Sequence, residues 1–184
     1  MTLAEYLEYD DGTENRYELV DGELVPLPPE SRINNRIASV LFACFLKIGI
    51  PPHLISIGTE VVTIGSRATT RLPDLLVLSE ELAAALEGAT RSTIALDMPP
   101  PELVIEVVSP GKENRDRDYR YKRSEYAARR IEEYWIVDPQ EQKITVLQLV
   151  SGLYEEKAYT GNSELESSKF GRLGLTAGQL LSGV

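Results

Sequence analysis

Histidine and cysteine are nearly absent from this chain of 184 residues, which has one of each, His53 and Cys44. A lone cysteine excludes an internal disulfide and any cysteine-based zinc site, and a lone histidine excludes a multi-histidine metal centre. Any metal must therefore be held by carboxylates, which selects a hard cation such as Mg²⁺ or Mn²⁺. No run approaches the roughly 18 consecutive apolar residues of a membrane span. The first residues, MTLAEYLEYDDGTE, are acidic and lack the apolar segment of a signal peptide. The expectation is a cytoplasmic protein of bacterial type with no membrane partner. Positive charge is scarce too: 19 Lys and Arg face 29 Asp and Glu, for a net charge of −10. That balance argues against non-specific adhesion to nucleic acid or anionic lipid.

What is present is an ordinary globular composition, 42% hydrophobic and 26% charged, in a chain whose length fits one domain over residues 1–184. The charge is unevenly placed. Residues 111–130 hold eight Lys or Arg against four Asp or Glu, a basic helical segment in an acidic protein. A short opening helix over residues 3–9 precedes RYELVDGELVPL, where Asp21-Gly22 between two apolar runs signals a hairpin. Ser31 caps a helix to about Lys47, with Ile33, Ile37, Val40, Leu41, Cys44, Phe45 and Ile48 at helical spacing. This places Cys44 in the core. HLISI, TEVVTI, DLLVLS and ELVIEVVS read as strands, with an excursion helix over 79–89. The basic segment 113–130 reads as the second long helix. EYWIVDP is a strand closed by Asp138-Pro139, and KITVLQLV with GLYEEKAYT reads as the final hairpin. The order predicts α and β elements mixed around one sheet.

Two of these strands carry acids where acids are uncommon. Asp74 opens one, and Glu106 lies inside the other, in Leu103-Val104-Ile105-Glu106-Val107-Val108. A carboxylate among apolar neighbours stays charged only with a cation or strong donors nearby. Two on adjacent strands facing the same way would repel each other, and a divalent metal would convert that repulsion into binding. Separate satisfaction of each by arginine or water is the structural alternative. In the basic segment Asp118, Lys122 and Tyr126 fall at i, i+4 and i+8, on one helix face. A lysine there can orient a water, neutralise phosphate charge or form a salt bridge. Arg115, Arg117, Arg120 and Arg123 can meet phosphates, or pair with Asp116, Asp118 and Glu125 on a solvated face.

Pro73-Asp74 followed by Glu106-Val107-Val108 resembles the PD-(D/E)xK nuclease pattern. YELVDGELV (17–25), PDLLVLS (73–79), PPELVIEVVSPG (100–111), the Asp118…Lys122…Tyr126 spacing and EYWIVDP (133–139) resemble, more narrowly, one family. This is the restriction endonuclease-like family of unassigned function abundant in cyanobacteria, the Uma-type domain. The resemblance covers roughly residues 5–180. It implies an α/β fold of α+β type: a restriction endonuclease-like core with a mixed sheet and with N-terminal and C-terminal β-hairpin additions. It implies metal ligation by Asp74, Glu106 and the main-chain carbonyl of Val107, with Glu18 completing the shell. Val108 stands where the nuclease motif has its lysine, and the family's replacement corresponds to Lys122. Asn34 and Asn35 stand where the family often has histidine, and Arg129-Arg130-Ile131 stands where it often has glycine. The function so implied is Mg²⁺- or Mn²⁺-dependent DNA endonuclease. A catalytically degenerate nucleic-acid-binding or regulatory module is one alternative. A homodimeric interaction protein, pairing through the C-terminal hairpin, is the other.

Overall fold

The computed structural model describes every residue except Glu14, Glu30 and Val184. Helix α1 (Leu3–Leu7) starts at Thr2, which forms a reciprocal capping box with Glu5. Strands β1 (Tyr17–Val20) and β2 (Glu23–Pro26) form the expected hairpin. Asp21 and Gly22 carry its turn at φ +49° and +80°, the left-handed geometry that Asp-Gly tolerates. Helix α2 (Arg32–Lys47) follows, capped by Ser31 Oγ on the Asn34 amide at 3.2 Å. Of HLISI only β3 (Ile55–Ser56) is extended, because the preceding prolines set Pro52–Leu54 in a 3₁₀ turn.

Next come β4 (Glu60–Thr63), β5 (Thr69–Arg71) and β6 (Leu75–Val77), then α3 (Glu80–Leu86), β7 (Thr93–Ile94) and β8 (Leu103–Val107). The basic segment is helical in three parts: α4 (Lys112–Asp116), a π-helical turn over Arg117–Lys122, and α5 (Arg123–Ala128). Strands β9 (Glu133–Asp138), β10 (Lys143–Val150) and β11 (Leu153–Thr160) follow in meander. Asp138 closes the first of their turns, its Oδ1 accepting from the amides of Gln140 and Glu141. The β10–β11 hairpin is not final. A second hairpin of β12 (Glu164–Ser167) and β13 (Gly171–Thr176), then α6 (Ala177–Ser182), come after it.

Six strands form the central sheet in the order β11-β10-β9-β8-β6-β3. Only β8 and β9 pair in parallel there; the other neighbours are antiparallel. Alternation along its strands divides the core. Leu75, Val77, Leu103, Ile105, Val107, Trp135 and Val137 face α2 and α6. Leu76, Val104, Val108, Tyr134 and Ile136 face the side of α3 and α5. Cys44 lies in the first of these layers, as the helical spacing predicts. Strands β5, β4 and β7 form a separate small sheet. The β1–β2 hairpin is tied to it by Leu19 and Asp21 amides donating to Thr70 and Thr69 hydroxyls.

Candidate active site

Strands β6 and β8 are antiparallel neighbours with Leu75 opposite Ile105, so extending that register by one residue sets Asp74 across from Glu106. Pro73 and Asp74 lie just outside β6, where the chain has left the ladder. Asp74 Oδ2 accepts the Val107 amide at 2.6 Å, which fastens the carboxylate to the end of β8. Glu106, in contrast, is nearly fully buried on the face shared with Val104 and Val108.

The π-helical turn brings the third element to the same face. Its i→i+5 geometry suits residues four and five apart to one side, and such turns recur at functional sites. Lys122 Nζ lies 2.8 Å from Glu106 Oε2, 3.4 Å from Asp118 Oδ1 and 3.8 Å from Glu18 Oε1. Tyr126, one turn on, donates its hydroxyl to Glu106 Oε1 at 2.6 Å. The structure thus brings Glu106, Asp118, Lys122 and Tyr126 together. Val108, at the position of the motif's lysine, packs in the apolar layer beside Tyr126 and Tyr134.

Glu18 reaches this cluster from β1, but on its cationic side. Its Oε2 accepts from Arg71 at 3.0 Å and its Oε1 from the Leu72 amide at 3.0 Å. Arg71 is the functional residue that sequence reasoning missed. Its guanidinium forks onto Glu125 at 2.7 and 2.6 Å and spans to Glu18, so one buried arginine joins β1, β5 and α5. The available signal was an arginine closing a buried strand beside Pro73-Asp74, since arginine is rarely fully buried unless paired. Asn34, in the first turn of α2, donates from Nδ2 to the Val107 carbonyl at 3.2 Å and to Ser109 Oγ at 3.3 Å. Asn35 instead lines a cleft of about 250 Å³ with Arg16, Ser39, Gly58 and Asp74.

The electrostatics follow from burial. Desolvation raises Glu106 to about 8; Lys122 opposes the rise, while Asp118, Asp74 and Glu18 add to it. Asp118 is raised by burial against the pull of Lys122 and Arg117. Burial also acts to raise Glu18, but Lys122 and Arg71 outweigh it and hold the carboxyl below its usual range. Burial would release the Lys122 proton; Glu106, Glu18 and Asp118 hold it more tightly than usual instead. Five carboxylates, Glu18, Asp74, Glu106, Asp118 and Glu125, face three cations, Arg71, Arg117 and Lys122. Acids outnumber cations here, and burial accordingly holds Glu106 and Asp118 toward their neutral forms. Among the described residues no three His, Cys, Asp or Glu side chains converge tightly enough to chelate a metal by themselves.

The basic segment outside the cluster is largely taken up in ion pairs. Arg115 meets Glu141, Arg123 meets Glu156 at 2.6 Å, and Lys112 meets Asp116 at 2.6 Å. The arginines' partners thus come mainly from the β9–β10 turn and β11, not from the segment's own acids as its sequence suggests. Trp135 is buried in the core layer against Phe45, with Nε1 donating to Glu133 at 2.6 Å.

A mixed sheet between helices, with an aspartate and a glutamate on neighbouring strands and a lysine against the glutamate, is the arrangement of a restriction endonuclease-like fold. The chain belongs to the Uma2 family, described as "Putative restriction endonuclease", whose model matches residues 3–179. The fold is also that of a solved structure from Anabaena variabilis, titled as a putative nuclease belonging to DUF820. The TM-score is 0.70 at 18% identity, covering 100% of this chain and 98% of the other. No curated protein matches the chain. Family and fold together support a nuclease. Among the described residues no helix is long and apolar enough to cross a membrane.

Proposed function

We propose that this protein is a metal-dependent DNA endonuclease of PD-(D/E)xK type, with Asp74, Glu106 and Lys122 as its catalytic residues. The observation that carries the reading is the delivery of Lys122 Nζ to 2.8 Å from Glu106 by a helix, in place of the lysine that Val108 displaces. Asp74, Glu106 and the Val107 carbonyl are the ligand set for Mg²⁺ or Mn²⁺. When bound, the cation supplies Lewis acidity toward a phosphodiester oxygen and acidifies a coordinated water. Glu18, held by Arg71 and the Leu72 amide with Lys122 Nζ at 3.8 Å, supports Lys122 in this reading.

Lys122 keeps its proton under three carboxylates, so its role is to position the attacking water and stabilise charge on the phosphate, not to act as a base. Tyr126 fixes the rotamer of Glu106. Asn34 orients the Val107 carbonyl, a neutral donor where the family often has an imidazole. The second reading, a degenerate module on the same fold, is favoured by one observation: Glu106 is 3% exposed with both oxygens engaged.

Calorimetric titration with Mn²⁺ tests the ligand set. One site in the wild type, lost in Asp74→Asn and in Glu106→Gln, is expected; no heat in the wild type ends the enzyme reading. Plasmid nicking by wild type, Asp74→Asn and Lys122→Ala then separates enzyme from module. Loss of at least a hundredfold in both folded variants is expected, on the scale of removing one group that stabilises transition-state charge. Equal nicking by wild type and Lys122→Ala removes the lysine assignment.

A further inference from the structure

The cleft that reaches Asp74 is not isolated. A second cleft of about 440 Å³ shares Arg16, Gly58 and Leu72 with it and continues between Tyr9, Tyr17 and Arg91. Leu72 is two residues before Asp74, so the combined groove runs from the proposed catalytic carboxylate to an aromatic end. At that end Tyr9, 38% exposed, meets Tyr17 edge to face with ring centroids 5.8 Å apart. Tyr17 is steadied by its hydroxyl donating to Asp11 at 2.6 Å. The far wall is rigid: Arg91 lies 4.4 Å over the Tyr6 ring and clasps Glu60 through two contacts of 2.9 Å. That clasp pairs the Glu60 carboxylate, which lines this part of the groove. Arg16, midway along, is exposed and has no ion-pair partner among the described residues.

We infer that this groove holds an unpaired DNA strand beside the scissile phosphodiester, with a base stacked on Tyr9 and Tyr17 and the intervening phosphate on Arg16. Exposed aromatic faces joined by a basic residue suit splayed bases, which every unpaired strand offers and a duplex keeps stacked inside. The net charge of −10 also disfavours a long phosphate track along a duplex. The substrate class is then single strands, flaps or frayed ends. The inference rests on the nuclease reading for its purpose, but binding is measurable without cleavage.

Anisotropy of a labelled oligothymidine of about 12 nucleotides, within the usual site size of such proteins, is read in EDTA against a duplex of equal length. Binding at least tenfold tighter to the single strand is expected. Tyr9→Ala should weaken it about tenfold, and Tyr9→Phe should restore it, since only the ring face is used. Arg16→Gln should flatten the salt slope by about 0.7, one single-strand phosphate. No binding, equal affinity for duplex, or Tyr9→Ala and Arg16→Gln behaving as wild type would each overturn the inference. Correct binding without Mg²⁺-dependent cleavage would remove the nuclease reading and leave the groove assignment standing. Cleavage of duplex without single-strand preference would do the reverse.

Discussion

Arg71 shows how a single side chain sets the geometry of the cluster. Its guanidinium is 2% exposed and satisfies two carboxylates from different elements at once. A lysine offers a point charge and cannot span both, so the substitution is not conservative. Arg71→Lys is expected to cost about 2–3 kcal/mol in urea unfolding, somewhat less than the about 3–5 kcal/mol of removing a buried charge altogether. It should also loosen Glu18 and, through it, Lys122, so nicking activity should fall with stability. Tyr6 gives a prediction in pH. Burial, then its 2.5 Å contact with Glu60, raises the phenol to about 12. A raised folded value means the stabilisation is complete below pH 10 and is lost as pH climbs through about 12. Phenolate absorbance in an alkaline titration should therefore show a late fraction that appears with unfolding. Tyr134, raised well above 10 by burial, should contribute to that fraction. All nine tyrosines ionising together near pH 10 would contradict it.

At the scale of elements, the turn after α5 carries a residue that its backbone does not favour. Arg130 sits at φ +61°, the left-handed conformation that glycine adopts without penalty. It is exposed and occupies the stretch where the family resemblance expects glycine. Arg130→Gly is expected to stabilise the protein by about 0.5–1 kcal/mol, after the extra entropy of glycine in the unfolded chain is counted. Chemical denaturation measures this directly, and an unchanged or lower midpoint would contradict it. The same segment shows where reading a helix from spacing stops. The i, i+4, i+8 pattern correctly places Asp118, Lys122 and Tyr126 on one face, because those offsets survive small changes in helical pitch. The π-helical turn over Arg117–Lys122 has no such signature; it follows from burying two charged residues together under β8.

For the whole molecule, the C-terminal part is core and not appendage. Leu165, Leu173, Ala177, Leu180 and Leu181 join the layer with α2, β8 and β9. Leu180 is fully buried, so Leu180→Ala should cost about 2–5 kcal/mol by thermal or urea unfolding. A cost near zero would mean that α6 only decorates the fold. The buried Glu133 fixes the same region by accepting from Ser167 at 3.0 Å, from Ser168 at 2.5 Å and from Trp135.

The sequence by itself determined the hairpin at Asp21-Gly22, helix α2, the apolar strands and the anomaly of Asp74 and Glu106 within them. Those features are local: turn chemistry, periodicity and the cost of burying a charge act over a few residues. It also placed Lys122 on the correct helix face. Only the tertiary structure decided that β6 and β8 are neighbours in a register that sets the two acids opposite each other. Only it joined Glu18 to Arg71 across 53 residues, and opened the groove between Asp74 and Tyr9. Strand pairing and buried ion pairing are choices among distant partners, fixed when the whole core packs and every buried charge must find its counterpart.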